Sequence, residues 1–321
     1  MSRLWLAGLL ACTLVACGGG EDDPASAPPP DWPMTGLAAS DASVDVDGPV
    51  MVVKVDNTAK AFPQQGLAAA DVIVEEPVEG GVTRLAVFLH SEIDGVTGPV
   101  RSVRSSDVGI VSPADAVLVA SGGAPEAVAD IEAAGIETRF EGTPGFARDS
   151  GRPAPYNLFV DAGEAYAALD EPGPPAPFFT FGDAEVTGEP ADALELVFSK
   201  AQTTRLTFAD GGWTREAAEP DGFTATTVLA LLVEQGTAGY LDPSGAPVPI
   251  NVTEGTGTGY LATDGRVVEV EWSKESADTP WTFTLDGEDV PVPAGRTYLA
   301  LLPVDTGSVQ VDAPQGSESS G

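Results

Sequence analysis

Apolar residues fall along most of this chain in short runs bounded by turn residues, and those runs predict strands more often than helices. Val50 to Val55, Val72 to Glu76, Arg84 to Leu89 and Ala116 to Ala120 are β-branched or apolar segments of strand length. Gly123 to Ala134 predicts a helix, with Pro125 near its first turn and Gly135 after its end, and Glu164 to Leu169 predicts a second. Strands and helices in this order give a mixed α/β fold of layered sheets with helices for residues 46–176.

A proline-rich break at Glu171 to Pro177 marks the expected domain boundary. Beyond it, Leu194 to Phe198, Thr203 to Phe208, Thr224 to Val233, Gly259 to Ala262, Val267 to Trp272, Trp281 to Leu285 and Thr297 to Leu302 read as strands. Asp-Gly and Pro-Gly punctuation separates them, so residues 177–306 are expected to be a mostly β domain. Residues 307–321 are polar and expected to be a disordered tail. Gly255-Thr256-Gly257-Thr258-Gly259 is followed by no helix and therefore offers no dinucleotide site. It reads as a flexible turn.

The N-terminal pattern is different. Arg3 precedes an apolar stretch, Leu4 to Val15, well short of the ~20 residues that span a bilayer. It ends in Leu14-Val15-Ala16-Cys17, small residues before a cysteine, which reads as a lipoprotein signal over residues 1–16 with acyl chains attached at Cys17. Two or more chains on one thiol give stable anchoring. Residues 17–45 then form the expected flexible tether, with Gly18 to Asp31 offering almost nothing to bury. The expected location is the extracytoplasmic face of the cell membrane.

Charge and cysteine content narrow the chemistry. Fifteen Lys and Arg stand against 49 Asp and Glu, a net charge of −34, which repels nucleic acid. With 43% hydrophobic residues, the acidity belongs to the surface of a folded protein. Both cysteines, Cys12 and Cys17, lie in the signal region, so no disulfide or cysteine metal site is expected. His90 is the one histidine, read as structural or solvent-facing, and no metal or cofactor is implied.

Most of the unusual polar residues fall in one segment: Lys54-Val55-Asp56-Asn57, Asp71, Glu75, Glu76, Glu79-Gly80-Gly81-Val82-Thr83-Arg84 and Gly98-Pro99-Val100-Arg101-Ser102-Val103-Arg104. Arg148-Asp149 and Pro155-Tyr156-Asn157 extend it. In these motifs the chain resembles the YerB-like bacterial lipoproteins of unknown function. The likeness continues through Asn251-Val252, the glycines 255, 257 and 259, and Trp272-Ser273-Lys274, covering about Val50 to Pro303. It implies an extracytoplasmic lipoprotein with paired N-terminal and C-terminal domains and no assigned reaction. Members of that family commonly carry histidine where this chain has Tyr156, so a histidine-based role at that position cannot operate here.

Read from the residues alone, Arg84, Arg101, Arg104 and Arg148 stand out in a cation-poor chain. Clustered guanidinium groups suit bidentate capture of carboxylate or phosphate, which makes Asp56, Asn57, Arg84, Arg101, Ser102, Arg104, Arg148 and Asn157 a candidate site for an anionic envelope ligand. An envelope protein partner is the other reading of that surface. Alternatively the arginines pair internally with Asp56, Asp71, Glu75 and Glu79 as a structural network, the preferred reading because buried ion pairs often fix register, and the protein is then a scaffold. A further alternative makes it an envelope-glycan hydrolase, with paired carboxylates drawn from Asp71, Glu75, Glu76 and Glu79. Asp71, Glu75 and Glu79 are its candidate catalytic residues. Trp213, Trp272, Trp281 and Tyr260 are expected in the core rather than on sugar rings.

Overall fold

The computed structural model describes residues 31–39, 45–169, 174–183, 186–217, 222–242 and 245–314. The expected signal and Cys17, the expected position of the acyl anchor, lie outside them. In the first half the strands are β1 (Met51–Asp56), β2 (Val72–Pro77), β3 (Thr83–Leu89), β4 (Val96–Thr97), β5 (Val117–Ala120), β6 (Thr138–Phe140), β7 (Phe146–Arg148) and β8 (Leu158–Asp161). Helices α1 (Asp107–Val111), α2 (Pro125–Ala133) and α3 (Ala162–Tyr166) lie among them. The second half begins with β9 (Glu189–Pro190), β10 (Ala193–Val197), β11 (Thr203–Ala209), β12 (Gly212–Arg215) and β13 (Thr224–Ala225). It continues with β14 (Thr227–Val233), β15 (Gln235–Leu241), β16 (Pro247–Asn251), β17 (Gly255–Thr263), β18 (Arg266–Lys274), β19 (Thr282–Leu285), β20 (Glu288–Asp289), β21 (Thr297–Pro303) and β22 (Ser308–Asp312).

The protein is mostly β, and its main sheet mixes parallel and antiparallel neighbours in the order β20-β19-β18-β17-β14-β21-β2-β3-β1-β5-β6, with β9 added beside β18. The two halves share this sheet through a parallel pairing of β2 with β21, from Val72 opposite Thr297 to Glu75 opposite Ala300. An α/β layering of the first half rests on three helices of only five, nine and five residues. A second sheet, β13-β12-β11-β10-β22, covers part of one face. Asp-Gly pairs at 210–211, 264–265 and 286–287, both residues at positive φ, close the β11–β12, β17–β18 and β19–β20 hairpins in the manner of type I′ turns.

Strands that are apolar on both sides bury both faces, and two cores result. Val52, Val74, Phe88, Leu118, Leu229 and Leu299 point to one, packed against Ile110 of α1 and Ile131 of α2. Val53, Ile73, Val87, Val119, Val228 and Tyr298 point to the other, packed against Leu194, Leu206 and Trp213 of the second sheet.

Three expectations are corrected. The tether does not extend to residue 45, because Met34 is fully buried, Trp32 sets its ring edge-on to His90, and Thr35 accepts a backbone hydrogen bond from Gly295. The tail is not disordered from residue 307, since Ser308–Asp312 pairs along the whole of β10, with Val309 and Val311 packed against the second core. Gly255–Gly259 is no turn but the start of β17, paired with β18. Trp272 lies so close that a Cβ at Gly257 would stand 2.7 Å from its Nε1, which is why glycine suits a strand there.

Candidate functional site

The polar segment read from the sequence collects at one end of the central strands, where β1 and β2 finish and β3 begins. Register brings Asp56 opposite Arg84 and Glu76 opposite Arg84 from the other side. Because side chains alternate along a strand, the segment divides between the two faces of the sheet.

On the α1 side stands an ionic network. Lys54, fully buried, donates to Glu76 at 2.7 Å and to Asp107 at 2.6 Å. Burial works against its ammonium, but the Asp107 and Glu76 carboxylates outweigh that and hold its pKa above the ordinary value. Glu79 is shared: Arg104 grips it through both Nε, at 2.8 Å, and Nη2, while Arg84 Nη2 lies 3.4 Å away. The two guanidinium groups outweigh the burial of Glu79 and lower its pKa. Burial and the neighbouring Arg104 push Arg84 down to about 10. Asn251 of β16 reaches in from the second half, donating to Glu76 at 3.2 Å and to the Pro77 carbonyl at 3.1 Å.

On the opposite face Glu75 sits among neutral donors. Its Oε1 accepts from Thr83 at 2.6 Å, Asn57 at 2.8 Å, Thr204 at 3.0 Å and Gln202 at 3.3 Å, and its Oε2 accepts from the Tyr298 hydroxyl. Asn57 turns its own Oδ1 to Arg215 at 2.8 Å, and Arg215 also donates to Gln64. A carboxylate so fully bonded is held as a structural acceptor.

The arginines divide in the same way. Arg84 and Arg104 are enclosed, whereas Arg101 is a quarter exposed, paired to Asp56 at 2.9 Å, with its guanidinium 5.8 Å from the centre of the Tyr156 ring. Ser102 is half-buried beside it, its Oγ 3.4 Å from that of Ser121. Arg148 is separate and exposed. It holds Glu141 through two bonds of 2.8 Å and donates to Asn157, the residue after Tyr156, at 2.8 Å.

Asp71 is not brought together with Glu75. Asp71 accepts from the backbone of His90 at 2.9 Å and Ser91 at 2.8 Å, and burial raises its pKa. Glu75, four residues along the chain, is ~13 Å away at strand rise, beyond the spacing of either glycosidase geometry. Glu79 is neutralised by arginine, and Glu76 faces away from Glu75. Pairing of Asp71 with Glu75, or of Glu75 with Glu76, as acid and base is therefore corrected by the geometry, while Glu76 and Glu79 are held by Lys54 and by arginine. The internal pairs foreseen with Asp56 and Glu79 do form, but Asp71 and Glu75 meet no arginine side chain within hydrogen-bonding distance among the described residues. Among the same residues no group of three or more His, Cys, Asp and Glu could hold a metal.

Sequence reasoning missed Asp107, Gln64, Gln202, Thr204, Arg215, Asn251 and Tyr298. One signal was available: a lysine inside Met51-Val52-Val53-Lys54-Val55-Asp56, buried on both faces, requires anionic partners from elsewhere in the chain.

Fold and site together define a two-part β protein whose halves share one sheet and close over a polar network on each face. The chain belongs to the family described as "Protein of unknown function (DUF3048)", with residues 34–174 matching its N-terminal domain and 187–299 its C-terminal domain. It is 26% identical to the Bacillus subtilis (strain 168) protein named "Putative lipoprotein YerB", over 92% of this chain and 93% of that one. The crystal structure of YerB from Bacillus subtilis is similar in fold, with a TM-score of 0.73 and 21% identity over 88% of this chain and 99% of that one.

Proposed function

We propose that this is a lipid-anchored extracytoplasmic envelope protein that binds an anionic group at a rim centred on Arg101 and Ser102, with Asn157, which Arg148 holds, next to Tyr156 at its edge. Acyl chains on Cys17 hold it to the membrane, and residues 17–30 supply the tether. The name of the Bacillus relative supports the anchoring. Residues 46–176 and 177–306 act as the two domains, joined through the pairing of β2 with β21, the first presenting the rim.

The observation that carries the reading is the contrast among the arginines. Arg84 and Arg104 are spent on Glu79, and together with Lys54 they fix the floor. Arg101 keeps a quarter of its side chain in solvent and lies over Tyr156, an arrangement that leaves the planar fork open to a carboxylate or phosphate. Asp56, Asn57, Arg84 and Arg104 then act as supports of the site rather than as contacts.

Calorimetric titration of the full-length protein with peptidoglycan-derived and phosphorylated glycan fragments tests the binding. Saturable heat that disappears as salt rises supports it, and no heat with any acidic fragment favours a scaffold. Cys17→Ser tests the anchor, because the variant is expected in the soluble fraction.

A further inference from the structure

Lys54, Glu76 and Asp107 form a closed triad that anion binding at the rim does not use. Alternation along β1 puts Lys54 on the face of Val52, and alternation along β2 puts Glu76 on the face of Val72 and Val74, so each charged group is the next member of an apolar row. Asp107 opens α1 one turn before Ile110 of the same core. All three side chains are fully buried. Lys54 Nζ lies 2.6 Å from Asp107 Oδ1 and 2.7 Å from Glu76 Oε1, and meets no other acceptor among the described residues.

Two further hydrogen bonds give this triad the geometry of an amide-forming site. Asp107 Oδ2 accepts the Arg104 backbone N–H at 2.7 Å, a donor aimed where charge gathers when the carboxyl carbon is attacked. Glu76 Oε2 accepts from Asn251 Nδ2 at 3.2 Å, which leaves Oε1 facing the amine. Burial raises the Glu76 pKa, so this carboxyl holds a proton readily. Enclosure also strips the solvation that stabilises an ammonium and a carboxylate as separate ions, and holding the two in contact supplies an effective concentration of ~10⁵ M or more.

We propose that Lys54 and Asp107 condense from this ion-paired state to an intramolecular isopeptide bond, with Glu76 as the proton carrier. The ammonium passes one proton to Glu76, the resulting amine attacks Asp107 Cγ, and the oxyanion forms on Oδ2 beneath the Arg104 N–H. A second nitrogen proton and the one held by Glu76 go to Oδ1, which departs as water. One ammonium and one carboxylate thus become one amide and one water, nothing is oxidised or reduced, and Glu76 ends as it began. The amide N–H stays beside Glu76 as its donor. The product replaces two buried charges by a neutral group. It also ties β1 covalently to α1, as a disulfide would, in a chain with no cysteine beyond Cys17.

The test is peptide mapping by mass spectrometry of the full-length protein, denatured and digested with trypsin. Trypsin does not cut after a lysine whose Nζ is in an amide, so Val55–Lys60 is expected to stay joined to Lys54. Lys54 is expected in a branched peptide with Asp107, one water lighter than its two parts. The Asp-Gly pairs at 210–211, 264–265 and 286–287 can also lose water by cyclising, and the branch distinguishes the two events. Glu76→Gln is expected to lower the linked fraction about tenfold or more, and Asp107→Ala to release Val55–Lys60 completely. The wild-type digest decides even where a variant fails to fold. Complete release of Val55–Lys60 from wild type, an unchanged linked fraction in Glu76→Gln, or a blocked Lys54 in Asp107→Ala would each overturn the proposal.

Discussion

Glu75 and Glu76 are adjacent on β2 yet belong to separate networks on opposite faces of the shared sheet. Glu76 is bonded to Lys54, and Glu75 accepts from side chains contributed by both halves, Thr204 and Tyr298 among them. The alternation of one strand thereby ties the N-terminal unit to its helices on one side and to the second sheet on the other.

Lys54→Met is expected to destabilise the protein by ~3–5 kcal/mol, because it leaves Glu76 and Asp107 buried without their cation. Tyr298→Phe removes one hydrogen bond to a charged acceptor and is expected to cost less, ~1.5–3 kcal/mol. Urea denaturation of both variants measures the difference. Equal stability of Lys54→Met and wild type would mean that the cluster is not closed to water.

The single histidine gives a clean pH probe. His90 is buried, its Nε2 lies 3.1 Å from the Gly48 carbonyl, and burial lowers its pKa from the ordinary 6.5. The fold prefers the neutral ring, so its contribution is complete above pH 6.5 and is lost as pH falls through the lowered folded value. The imidazole proton resonance is expected to titrate below 6.5, and the stability of wild type relative to His90→Gln to decline between neutral and mildly acid pH. A titration above 6.5 would contradict the enclosed setting.

Lys274 offers a second probe in the other half. Its Nζ donates to the carbonyls of Ser276, at 2.5 Å, and Ala277, at 2.6 Å, and lies 5.2 Å from the centre of the Trp281 ring. Desolvation pushes its pKa down to about 8. The contribution is therefore present above the ordinary 10.5 and lost as pH falls through about 8. A change in tryptophan fluorescence centred near pH 8 is expected in wild type and not in Lys274→Met, and its persistence in the variant would assign it to another group.

Local pattern made the central strands legible, because Met51–Asp56, Val72–Pro77 and Thr83–Leu89 are apolar enough to be buried on both faces. The Asp-Gly hairpins were legible for the same reason, as turn chemistry is local. What escaped depends on distant partners. Gly257 is strand because Trp272 covers it, and Ser308–Asp312 is strand because Ala193–Val197 offers it an edge. The candidate site was legible as a set of residues but not as an arrangement. Nothing near Glu75 in sequence announces Thr204 or Tyr298, and nothing near Arg104 says that Glu79 will occupy it while Arg101 stays open.

The most direct test of the rim is Arg101→Lys, measured by calorimetric titration with acidic envelope fragments alongside thermal melting. Lysine keeps the charge and the exposure but loses the fork. The account predicts that binding weakens by about tenfold while the melting temperature stays within about 2 °C of wild type, since a quarter-exposed ion pair contributes little to stability. A strongly destabilised Arg101→Lys protein, with no acidic fragment bound by wild type, would contradict it and leave the arginines as structural members of a scaffold.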